Sequence, residues 1–152
     1  MACSGSPKAA TTPGSPHPEC ITYWVNHVNA PLPAAGLKDL LLFFLGRRRL
    51  FQVEGDSMLP ALQPKQRLLV KLRPHNGRSP SPGTVVVCHH PSDLNLVITK
   101  RVWQSNDGWL ELRGDNPTAS TDSRQFGQVA LEQVIGEVTA VIPQTGRSSD
   151  GT

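Results

Sequence analysis

From residue 50 onward, short apolar runs alternate with clusters of turn-forming residues, and these interruptions limit what the chain can build. The runs span residues 50–54, 67–72, 84–89, 96–103, 109–113 and 134–142. Between them lie Pro74-His75-Asn76-Gly77, a second cluster at 79–83, Ser105-Asn106-Asp107-Gly108 and Gly114-Asp115-Asn116-Pro117. Runs of this length, β-branched and closely punctuated, read as strands rather than helices. Fourteen prolines and thirteen glycines in 152 residues reinforce this reading. The expected fold is mainly β: coiled or barrel-like antiparallel sheets with one short helix.

The chain is long enough for one core and too short for two. Residues 1–35 are read as a disordered, low-complexity head, because the first eighteen consist mostly of Pro, Ser, Thr, Gly and Ala, with little to bury. A short apolar-basic segment follows at 36–49, then the domain at 50–145 and a disordered tail at 146–152. The first twenty residues lack a continuous apolar core, so no secretory signal is expected there. In the segment, the unbroken apolar run 40–45 is bounded by Lys38-Asp39 and Arg47-Arg48-Arg49. That run is far below the ~20 residues a spanning helix needs. It can pack on the domain or lie on an anionic membrane surface, so membrane contact is at most peripheral.

Cys3, Cys20 and Cys88 are odd in number and widely spaced, which fits a reducing compartment better than a disulfide framework. The net charge of +3 is scattered, and no basic stripe with interleaved aromatics marks a nucleic-acid partner. Cys88-His89-His90 alternates faces on a strand and has no second ligand pair, so no metal or other cofactor is expected.

Two stretches carry candidate chemistry. In Val53-Glu54-Gly55-Asp56-Ser57-Met58-Leu59-Pro60, a strand breaks at Gly55 and Ser57 follows in a turn. Gly55 permits a sharp backbone turn, and Pro60 restricts Leu59. A nucleophilic serine needs such a turn, which presents its hydroxyl and aims backbone N–H groups at a developing oxyanion. A serine here is equally at home as a turn former. In Leu96-Val97-Ile98-Thr99-Lys100-Arg101-Val102-Trp103, alternation puts Lys100 on a face with Leu96, Ile98 and Val102, and Arg101 on the other. A lysine acting as a base near neutral pH needs its pKa lowered by about 3 units, about 4 kcal/mol of bias, which burial among aliphatic groups supplies. The ordinary alternative is an apolar-seated stem whose ammonium reaches water.

A third stretch, 114–127, reads as a polar loop in which Asp122 and Arg124 can pair and Ser120 can hydrogen-bond a neighbour. Taken together, the stretches resemble the type I signal peptidase superfamily over about residues 50–142. Ser57-Met58-Leu59-Pro60 is similar to its nucleophile box, Lys100-Arg101-Val102 to its lysine box, and Gly114-Asp115-Asn116 with Ser120, Asp122, Ser123, Arg124, Phe126 and Gly127 to its third box. The resemblance implies a serine endopeptidase with Ser57 as nucleophile and Lys100 as general base. Ser120 would orient the lysine, Asp122 and Arg124 would form a structural ion pair, and Gly55, Met58 and Pro60 would shape the nucleophile turn. The Ser57 N–H would be one oxyanion donor. Where some members carry a serine as second donor, this chain has Gly55.

Only eleven residues separate Val102 from Gly114, and a compact branch fits best: the peptidases that mature nickel-type superoxide dismutase. That implies a precursor partner with an N-terminal leader and a cytoplasmic setting. A signal peptidase acting on secreted proteins at a membrane is the alternative. A self-cleaving repressor would need a helix-turn-helix, which the proline-rich head does not suggest. A catalytically dead interaction module would not need the intact Ser57 and Lys100.

Overall fold

The computed structural model describes residues 31–73 and 78–144. After a helix, α1 (Leu37–Phe44), come strands β1 (Arg49–Gln52), β2 (Arg67–Leu72), β3 (Val85–His90), β4 (Asp93–Asn106) and β5 (Trp109–Arg113). A one-turn helix, α2 (Ser123–Phe126), leads to β6 (Val129–Ala130), a 3-10 turn (Leu131–Gln133) and β7 (Val134–Ile142). The strands form one seven-stranded sheet in the order β1-β2-β7-β3-β4-β5-β6, antiparallel throughout. The expected mainly β fold with a short helix is what the chain adopts.

The run Val85-Val86-Val87-Cys88 explains why β3 lies near the centre of the sheet. All four side chains are buried, so this strand has apolar cover on both faces. Val85 and Val87 join a core with Val53, Met58, Leu62 and Leu68, whereas Val86 and Cys88 join a second core with Val102, Leu110 and Leu112. Irregular register within β2–β7, β3–β4, β3–β7 and β4–β5 bends the sheet, as bulges do.

Three expectations shift. Strand β4 is longer than 96–103 at both ends, because pairing with β3 and β5 carries the backbone beyond its apolar centre. Its start is solvent-facing: even Leu96, expected beside Lys100 on an apolar face, is 49% exposed. The boundary of the head also moves. Leu32 packs on the first core, Ala34 bridges Val141, and the Ala35 N–H donates to the Val141 carbonyl, so these residues join the domain rather than a disordered head. The rest of the expected head (1–30), the turn cluster 74–77, residue 145 with the expected tail (146–152), and Cys3 and Cys20 lie outside the described residues.

Helix α1 buries none of its residues. Leu37, Leu41 and Phe44 recur at helical spacing on one solvent-facing stripe, 86%, 58% and 81% exposed. Among the described residues no helix is long and apolar enough to cross a membrane.

Candidate active site

The chain leaves β1 through Val53, which is buried and bonded through its backbone to Gln66 and Lys65. Gly55 then adopts φ +75°, a backbone region that side chains disfavour, and the chain reverses as its sequence suggested. A turn from Asp56 to Leu59 follows, closed by the Leu59 N–H on the Asp56 carbonyl at 3.2 Å. Met58, 1% exposed, plugs this turn into the first core, leaving Ser57 half-buried at its outer side. The Leu59–Pro60 peptide is cis.

Lys100 is 4% exposed. It sits directly across from Val86 in the β3–β4 ladder, two pairs along from Cys88 and Ile98, with Val102 two residues on. Burial in this wall lowers its pKa. Asp122, Cys88 and Asp115 act in the opposite direction without overcoming burial, and Arg124 adds to the lowering. The Cys88 thiol is pushed up to about 12 by the same burial, against a downward pull from Lys100, so it stays neutral beside the amine.

The Lys100 amine donates to the Ser120 hydroxyl at 3.1 Å. Ser120 in turn donates to Asp122 Oδ2 at 3.1 Å. A carboxylate only accepts, so the single hydroxyl proton of Ser120 is committed to Asp122 and its lone pairs face the lysine. Lys100 must therefore donate an N–H to Ser120, and the lone pair of a neutral amine is turned elsewhere. Asp122 is fully buried. Burial would raise its pKa, but Arg124 through its side chain and backbone, the Gly114 N–H and Ser120 together hold it well below the usual carboxylate range. The expected Asp122–Arg124 pair forms at 2.7 Å, with the arginine 40% exposed.

Gly114 joins these parts. A side chain there would collide with the Ser120 hydroxyl on one side and the Ser57 carbonyl on the other. The backbone of the Ser57 turn and the residue that holds Lys100 thus pack against one bare Cα. The Asn116 N–H adds a bond to the Ser57 carbonyl at 2.9 Å. An amine whose pKa burial lowers, steered by Ser120 and joined to the Ser57 turn through Gly114, can act as the base of a nucleophilic centre.

Sequence reasoning missed a second buried group on the same strand. Arg101, on the opposite face to Lys100, is 3% exposed and bonds both oxygens of Asp115, at 2.8 and 2.7 Å, and the Gly83 carbonyl at 2.8 Å. This pair fastens the Gly114 loop to β4. Alternation assigned Arg101 its face, but no local signal in the sequence says that the loop brings a carboxylate there. Cys88-His89-His90 belongs to no cluster of three metal-binding side chains among the described residues.

The chain is 35% identical over 114 residues to mitochondrial inner membrane protease subunit 1 of Schizosaccharomyces pombe, a match covering 60% of this chain and 73% of that protein. That likeness supports the signal peptidase superfamily read from the three boxes. Residues 45–139 match the Peptidase S24-like family, a span that holds Ser57, Lys100 and the whole loop from Gly114 to Gly127. With more than half of its length inside that match, the chain belongs to the Peptidase S24-like family of peptidases.

Proposed function

We propose that the chain is a serine endopeptidase with a Ser57–Lys100 dyad that removes an N-terminal leader from a precursor, the precursor being that of a nickel-type superoxide dismutase. One observation carries the reading: a buried lysine amine of lowered pKa, held by Ser120, whose hydroxyl packs on the same glycine as the Ser57 backbone. The neutral Lys100 amine takes the Ser57 hydroxyl proton as the oxygen attacks the scissile carbonyl. The Ser57 N–H receives the resulting oxyanion. Lys100 then returns the proton to the leaving amine, and the new N-terminus departs. The acyl-enzyme is cleared when Lys100 draws a proton from an attacking water and returns it to Ser57. No metal or cofactor enters these steps.

The nickel enzyme is the substrate class that fits the compact spacing between the lysine box and the third box. Its metal is bound through its own N-terminal residues, so a leader would block the amine until a single cut frees it. In a direct test, purified chain is incubated with a nickel-type superoxide dismutase precursor and the new N-terminus is sequenced. A single cut at the leader junction, lost in Ser57→Ala and in Lys100→Ala, is the expected result. Cleavage by either variant would refute the dyad. An inert wild-type chain would refute the substrate.

A second reading has its own observations. The similar protease subunit is named for the mitochondrial inner membrane, and α1 carries an exposed apolar stripe ahead of three arginines. These favour a signal peptidase held at a membrane surface. In the reading preferred here the enzyme is cytoplasmic and any membrane contact is peripheral. Fractionation separates the two: chain that stays in the membrane pellet through a salt wash supports the second.

A further inference from the structure

The oxyanion hole has one backbone donor in this reading, and Gly55 supplies no hydroxyl to assist it. How that donor is aimed therefore matters more than it would in a site with two. The Ser57 N–H belongs to the same rigid, trans peptide unit as the Asp56 carbonyl, so the two point in opposite directions. Whatever fixes the Asp56 oxygen fixes the Ser57 N–H.

The Asp56 oxygen accepts two hydrogen bonds. One comes from the Leu59 N–H within the turn, at 3.2 Å. The other comes from outside it, from Asn116 Nδ2 at 3.2 Å. A carbonyl has two lone pairs, and both are used. The Asn116 amide is itself oriented: the Thr118 hydroxyl donates to its Oδ1 at 2.8 Å, which leaves Nδ2 to face Asp56. The Asn116 backbone N–H meanwhile holds the Ser57 carbonyl at 2.9 Å. A single residue thus grips the carbonyls on both sides of the Ser57 N–H. Donation to the oxygen end of a peptide also draws charge from its nitrogen end and strengthens that N–H as a donor.

We infer that Asn116 is the positioning residue of the oxyanion hole, aiming and polarising the Ser57 N–H through the Asp56 carbonyl. The inference rests on the proposed role of Ser57 as nucleophile. Asn116 touches no reacting atom. It acts through the peptide unit, so its loss should weaken the transition state and spare substrate binding.

Two changes at Asn116 and one indirect change test this in the full chain. Asn116→Asp keeps the backbone bond to Ser57 and replaces the donor facing Asp56 with a carboxylate oxygen. Asn116→Ala removes the donor. Thr118→Val frees the amide to rotate. Kinetics on the nickel-type superoxide dismutase precursor are read beside the amide proton shift of Ser57 in the substrate-free protein, by ¹⁵N NMR. The expected results are a kcat about tenfold lower for Asn116→Ala, lower still for Asn116→Asp, with KM within about twofold. The Ser57 amide proton should move upfield in both, and Thr118→Val should follow weakly in the same direction. An unchanged Ser57 amide overturns the inference. So does a raised KM at constant kcat, which would make Asn116 a substrate contact. The NMR arm needs no turnover, so it still decides the aiming if the precursor is not cleaved. Retained cleavage by Ser57→Ala would instead remove the proposed dyad.

Discussion

Lys100 and Arg101 are neighbours on β4, both almost fully buried, and they meet burial in opposite ways. Arg101 has a full set of partners: a bidentate carboxylate and a backbone carbonyl. Lys100 has a neutral hydroxyl and aliphatic walls. A planar guanidinium with a carboxylate stays charged and serves as a fastening. An amine denied that carboxylate gives up its proton more easily and becomes available for chemistry. Asp122 stands close enough to influence Lys100, but Ser120 lies between them and its carboxylate is already taken by Arg124. One face of the strand is built to hold a charge and the other to discourage one.

The largest expected effect falls on the lysine face. Lys100→Met fills the same space without the amine and should lower cleavage by about a thousandfold or more. The melting temperature should hold or rise, since an apolar group replaces a poorly partnered amine. A large fall in melting temperature would show that Lys100 is a fastening after all, and would erase the contrast. The arginine face should respond in reverse. Arg101→Leu leaves Asp115 buried without its partner and should cost about 3–5 kcal/mol in urea unfolding. Adding Asp115→Leu should restore much of that loss.

A smaller effect is expected at the hinge between the faces. Gly114→Ala should destabilise by about 1–3 kcal/mol, because the methyl group meets atoms that cannot all withdraw. Cleavage should fall by more than stability does, as Ser57 and Ser120 are pushed apart.

The finest distinction is one of pH. The rise of kcat/KM with pH should level off below 10.5, the ordinary lysine value. Asp122 holds the Lys100 pKa up, so Asp122→Asn should move that limb to lower pH while reducing the plateau. For stability, the unfolded lysine stays protonated up to 10.5 while the folded one has already lost its proton, so stability climbs with pH in the interval between the two values. Lys100→Met should flatten that climb. Asp122 works at the other end: its stabilisation is complete above about 3.8, the unfolded value, and is lost as pH falls toward its lower folded value. Asp122→Asn should therefore reduce the acid resistance of the fold.

Much of this was legible in the sequence where local pattern decides structure. The strands at Arg67–Leu72, Trp109–Arg113 and Val134–Ile142 fall where the apolar runs placed them. The Gly55 reversal followed from the break after Val53. Alternation put Lys100 on one face with Ile98 and Val102 but left open whether its ammonium reached water; the fold buries it. The remainder depends on long-range placement. Strand β6 has two residues, too few to show a period. The Arg101–Asp115 pair joins residues fourteen apart across a loop, and Asn116 reaches the Asp56 carbonyl sixty residues away. Polar partners of this kind are set by how strands stack, and their own neighbours in the chain carry no sign of it.

The short path from α1 to Ser57 also sets a length. From Phe44, the end of α1, to Ser57 the chain has thirteen steps, which even fully extended span no more than about 45 Å. Whatever surface receives the bare apolar side of α1, Ser57 hangs from it on a cord of at most that length, stiffened from Arg49 to Gln52 by pairing with β2. With Ser57 as the proposed nucleophile, such a cord would work as a depth gauge, favouring a substrate by how far its scissile bond stands from the place where α1 comes to rest.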